Sequence, residues 1–91
     1  MSEGHADAFT QYALALEYRR ENLLDKALEQ FTSLRAKEPA YLPMYLMAGQ
    51  LLLEMEREED ARGWLEQGIE FARSQGNAKA LGELQEALTS L

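Results

Sequence analysis

Five carboxylates fall within seven residues at Glu54, Glu56, Glu58, Glu59 and Asp60, the densest polar cluster in the chain. Oxygen ligands at that density could hold Ca²⁺ or Mg²⁺, but the spacing is not that of a calcium loop and the run lacks its turn glycine. Acids at the start of a helix are favourable beside its positive end, so the run is expected to be a solvated helix turn. The one histidine, His5, stands in what is expected to be a frayed terminus over residues 1–6, where a general base would not be held in position. Ser2, Ser33, Ser74 and Ser90 have no histidine at a useful spacing, and no glycine-rich phosphate loop or metal-binding histidine pair occurs. Cysteine is absent, which removes disulfides, thiolate nucleophiles and sulfur metal sites. We therefore expect no catalysis, no cofactor and no bound metal.

Bulk properties narrow the partners. The net charge is −7 and uneven: residues 1–50 carry seven acids against five bases, residues 51–91 nine against four. Nucleic acids and anionic membranes need a cationic footprint, so neither is an expected partner. Arginines outnumber lysines six to three, which with the acid excess is compatible with a salt-loving host. No run reaches the roughly 18 apolar residues that span a bilayer, and the first residues lack the basic and apolar regions of a signal peptide. The expected location is cytoplasmic. Few prolines and much Ala, Leu, Glu and Gln favour helix throughout, with no β-sheet.

The elements that must position any functional surface are set by a repeat. Ala27 is answered 34 positions later by Ala61, Ala15 by Gly49, Phe31 by Leu65, Tyr18 by Leu52 and Gln11 by Tyr45. A 34-residue period in a helical sequence marks a helix-turn-helix unit that cannot bury its apolar face alone. A first helix is expected from an N-cap at Asp7 to about Glu21, with Asn22 in a left-handed turn and Asp25 opening a second helix that ends before Pro39. Pro43 opens a third helix, closed by the turn Glu56-Arg57-Glu58. A fourth carries Ala61, Leu65, Gly68 and Ala72, and Gly76-Asn77 separates it from an amphipathic fifth with Leu81, Leu84 and Leu88. Trp64 and Phe71 form a second apolar strip on helix four, expected to pack on the closing helix. An exposed Trp64 would instead mark a contact surface.

These spacings resemble the tetratricopeptide repeat family. Leu14, Ala15, Tyr18, Ala27, Phe31 and Pro39 stand at the family's positions, with Gln11 for a bulky first residue and Leu34 for a small one. Tyr45, Gly49, Ala61 and Leu65 repeat the pattern, while Ala48, Leu52 and Arg73 depart from it; Arg73 replaces the terminal proline, so helix four should run longer than helix two. The resemblance implies an all-α fold, a right-handed α-α superhelix of antiparallel helical hairpins with about five helices. Residues 1–91 would form a single domain, with repeat one at 8–41, repeat two at 42–75 and a closing helix at 77–90.

In the family, the first helices of successive hairpins line a concave groove for a peptide or partner helix. Carried over by position, that groove comprises Phe9, Tyr12, Ala13, Leu16, Arg19 and Arg20 of helix one. Helix three supplies Leu46, Met47, Gln50, Leu53 and Glu54. Members that grip a terminal carboxylate use Lys, Asn and Arg on this surface. Tyr12, Leu16, Met47 and Gln50 occupy the corresponding places here, so that clamp is absent. The implied function is protein–protein contact through a mainly apolar groove. A second copy of the chain is the alternative occupant, because two hairpins fall short of the roughly three repeats a stable stack needs.

Overall fold

The computed structural model describes residues 4–91, with side chains from Asp7 onward. Five α-helices account for most of the described residues: α1 (Gly4–Arg20), α2 (Leu24–Lys37), α3 (Pro43–Glu54), α4 (Glu58–Gln75) and α5 (Ala78–Thr89). They form two compact units, one ending at Tyr41 and one spanning Leu42–Leu91. The first holds the α1/α2 hairpin and the second holds α3, α4 and α5. Helix α1 begins before the expected Asp7 cap, so Asp7 is instead an acid of the first turn, where it faces the positive end of the helix. Residues 1–3, at the start of the expected frayed terminus, and the side chain of His5 lie outside what is described.

Within each unit the turns share one chemistry. Leu23 N–H donates to Tyr18 O at 2.8 Å and Asn22 N–H to Arg19 O at 2.9 Å, with Asn22 at φ 64°. The same pair of bonds recurs from Arg57 to Leu52 and from Glu56 to Leu53, with Glu56 at φ 60°. It recurs again from Asn77 to Ala72 and from Gly76 to Arg73, with Gly76 at φ 68°. Each is a Schellman closure in which one left-handed residue satisfies the last carbonyls of a helix. The residue after it caps the next helix. Only Asn77 does so with its side chain, its Oδ1 accepting from Ala80 N–H at 3.0 Å. The link from α2 to α3 uses no positive φ, since Pro39 and Pro43 bound it.

The hairpin cores are built on small residues. Ala15 and Ala27 in the first unit, Ala48, Gly49 and Ala61 in the second, are buried where helices cross closely. Phe31, Leu34, Tyr45, Leu52 and Leu65 fill the space between them. Helix α4, with 18 residues against 14 in α2, is the longer, since no proline stops it. The extra residues follow Phe71, the counterpart of Lys37, and the first of them, Ala72, is buried in the core that α5 closes.

In the second unit, Gly68 is a notch. A Cβ there would lie 2.6 Å from Tyr45 Cβ and 3.1 Å from a Leu84 methyl, so only glycine lets α3 and α5 approach α4 at this point. Tyr45 enters the notch with Trp64 tilted against it at 5.8 Å and Phe71 stacked at 5.7 Å. Trp64 is therefore buried, 6% exposed, and its ring meets α3. The contact-surface reading of Trp64 is excluded.

Candidate partner-binding surface

On α1, the residues assigned to the groove divide by burial. Phe9 is 62% exposed, and Ala13 and Arg20 are exposed, whereas Tyr12, Leu16 and Arg19 are half-buried. Arg20 pairs with Glu17 at 2.9 Å on the open surface, where such a pair contributes little. Tyr12 is held from behind: its ring lies 6.3 Å from Phe31 and meets Tyr41 edge-on at 5.6 Å. Burial raises the Tyr12 hydroxyl above the usual phenol range and the nearby Tyr41 raises it further; burial also raises Tyr41. Both stay neutral near pH 7 and offer hydroxyls and ring faces, not charge. Behind this face, Gln11 Nε2 donates to Gln30 Oε1 at 3.1 Å, which fixes α1 against α2 through a polar pair.

On α3, Leu46, Met47 and Gln50 are half-buried, Leu53 is 36% exposed and Glu54 is exposed. Leu46 and Gln50, one turn apart, line a shallow cleft of about 350 Å³ whose other side is Glu83, Glu86, Ala87 and Ser90 of α5. Helix α5 thus stands beside the face assigned to partner binding and adds residues to it. Sequence reasoning missed those four. Their spacing, i, i+3, i+4 and i+7, was the available signal, since it places them on one side of a helix, next to the line of the buried Leu84.

The carboxylate run is dispersed. Glu54 ends α3, Glu56 is the left-handed turn residue, and Glu58, Glu59 and Asp60 occupy the first turn of α4. Arg57 holds Asp60 through Nε at 2.9 Å and Nη2 at 2.8 Å, and Arg62 approaches Glu58 at 3.5 Å. Among the described residues no three His, Cys, Asp or Glu side chains converge as a metal site, and no helix is long and apolar enough to cross a membrane.

Paired helices with small residues at the crossings, Schellman turns 34 residues apart and half-open apolar faces on α1 and α3 define a helical-hairpin repeat protein. The tetratricopeptide repeat family profile matches residues 18–84. A crystal structure of a tetratricopeptide repeat domain protein from Salinibacter ruber is similar at 38% identity and a TM-score of 0.85, covering 91% of this chain and 92% of that one. A solution NMR structure of such a domain protein from the same organism, also 38% identical, gives a TM-score of 0.88 over 91% and 84% of the two chains. No functionally curated protein matches. The chain belongs to the tetratricopeptide repeat family, whose fold generally mediates protein–protein interaction.

Proposed function

We propose that this chain is a non-catalytic scaffold that captures a peptide or partner helix on the first-helix faces of its hairpins. The observation that carries this reading is apolar surface left open where the family binds: Phe9 on α1 and Leu53 on α3 are exposed, beside half-buried Leu16, Leu46 and Met47. Large apolar side chains grouped on a helix face are suited to anchors spaced along an amphipathic segment, and Met47 adapts to imperfect ones. Tyr12 supports the surface and also holds the hairpin, so Phe9→Glu and Leu46→Glu are the cleaner probes. Each should lower peptide capture at least tenfold while helicity and solution mass stay unchanged.

Self-association is the second reading. Three of the four exposed large apolar residues, Phe9, Leu14 and Leu23, lie on the first unit. Light scattering over a hundredfold dilution separates the two. A monomer throughout supports capture of a foreign segment. A dimer that Phe9→Glu or Leu14→Glu dissociates, with thermal stability falling in step, supports self-assembly.

A further inference from the structure

The cleft between α3 and α5 differs in charge from the rest of the helix ends. Helices α1, α2 and α4 each place bases in the last turn: Arg19 and Arg20, Arg35 and Lys37, and Arg73. That complements the negative end of the macrodipole. Helices α3 and α5 place none, and carry acids there instead, Glu54 as the final residue of α3 and Glu86 in the last turn of α5. Short turns make α3 and α5 each antiparallel to α4, so the two run parallel; α5 brings its negative end, Glu86 to Ser90, to the cleft, while α3 enters it through Leu46 and Gln50, short of Glu54. Glu83 and Glu86, three residues apart, project from one side of α5 into its lining. Neither carboxylate has an ion-pair partner among the described residues. The bases of the second unit are used elsewhere: Arg57 on Asp60, Arg62 on Glu58 and Arg73 on Glu70, while Lys79 stands at the opposite end of α5.

An apolar floor of Leu46 and Ala87 beside two unneutralised carboxylates, at the negative end of α5, is complementary to one chemistry. We infer that this cleft takes a cationic amphipathic segment of a partner protein, an aliphatic side chain seated on Leu46 and Ala87 and a lysine or arginine one turn away on Glu83 and Glu86. Charge also selects against the alternatives. An acidic segment would be repelled, and a second copy of this chain would bring its own excess of acid. The inference rests on the proposed scaffold role and gives that role a partner class.

Selection from a library of random short peptides, followed by affinity measurement on the best binder, tests it. The expected sequences pair an aliphatic residue with lysine or arginine about one helical turn away. Their affinity should fall with added salt and drop roughly tenfold in Glu83→Gln/Glu86→Gln, the loss of two partly exposed ion pairs. Both glutamates are exposed, so the double variant should keep its helicity, and its melting temperature should hold or rise. Amide shifts at Leu46 and Ala87 on peptide addition would place the binder in the cleft. Binders that move those amides yet show no cationic enrichment and ignore the double variant overturn this inference and leave the scaffold role intact. A library that yields no binder overturns both. Dimerisation through the cleft would make a second copy the occupant and overturn the cationic assignment.

Discussion

Where the first hairpin joins α1 to α2 with a hydrogen bond between Gln11 and Gln30, the second joins α3 to α4 with Tyr45 against Trp64, the residues 34 positions on. The two pairs occupy the same register of the same scaffold. What differs is the support around them. In the second hairpin Gly68 opens a notch and Phe71 walls it; the first has Leu34 and Lys37 at those registers, neither notch nor wall. A buried aromatic in one repeat therefore depends on a set of substitutions made together. Removing one member should show how far the hairpins have diverged in where their stability lies.

The largest contrast is expected from truncating that register. Tyr45→Ala should cost about 4 to 5 kcal/mol, since Trp64, Phe71 and Gly68 all lose the surface they were shaped for. Gln11→Ala should cost about 1 kcal/mol, the net worth of one part-buried hydrogen bond. Urea denaturation of the two variants measures both. Equal losses would mean that the polar pair organises its hairpin as strongly as the aromatic clasp does.

Ala27 and Ala61 are the points where the hairpins agree, both fully buried at the helix crossing. Ala61→Glu places an unpaired charge there and should cost about 3 to 4 kcal/mol, with Ala27→Glu similar. A melting temperature for Ala61→Glu equal to that of the parent would refute the alignment of the two repeats.

Next is the notch itself. Gly68→Ala drives a methyl against Tyr45 Cβ, part of a side chain already packed against Trp64 and Phe71, and should cost about 2 kcal/mol. Gly63, five residues earlier on the same helix, has nothing within 4 Å of where a Cβ would stand. Gly63→Ala should therefore stabilise by about 0.8 kcal/mol through helix propensity alone. Opposite signs for two Gly→Ala changes in α4 isolate close approach from propensity. Two gains would show that Tyr45 can withdraw from the notch.

Much of this arrangement was legible in the sequence because the period and the small residues report backbone approach, which side-chain detail does not obscure. Helices and turns could be placed from Ala27, Ala61, Asn22, Pro43 and Gly76. The strip of Trp64 and Phe71 was readable as apolar, but not its partner, because helical periodicity gives a face and not the residue opposite. Gly68 read only as a small core position, since a notch exists only once Tyr45 is known to fill it. The faces of α1 and α3 could be carried over by position, whereas α5's share, Glu83 to Ser90, was hidden because the closing helix leaves the repeat signature. Exposure of the polar residues of α5 marks them as surface. Only the position of Leu46 and Gln50 beside them makes that surface a cleft.

The smallest effect tests the turns, where the hairpins match in geometry and differ in residue. Asn22 and Glu56 hold the same left-handed conformation, at φ 64° and 60°, with the same two closing hydrogen bonds. Asparagine adopts that region readily, whereas a glutamate there carries a steric cost of about 1 kcal/mol from its Cβ. Glycine removes that cost but gives the unfolded chain more freedom, which returns part of the gain. Glu56→Gly should accordingly stabilise by about 0.5 kcal/mol and Asn22→Gly by a few tenths at most. Glu56 makes no ion pair among the described residues, so little else changes with the substitution. Thermal melts of both variants, read against the parent, decide it. A gain at Glu56 larger than at Asn22 attributes the difference to backbone strain. A loss at Glu56 would mean that its side chain stabilises the turn more than its conformation strains it.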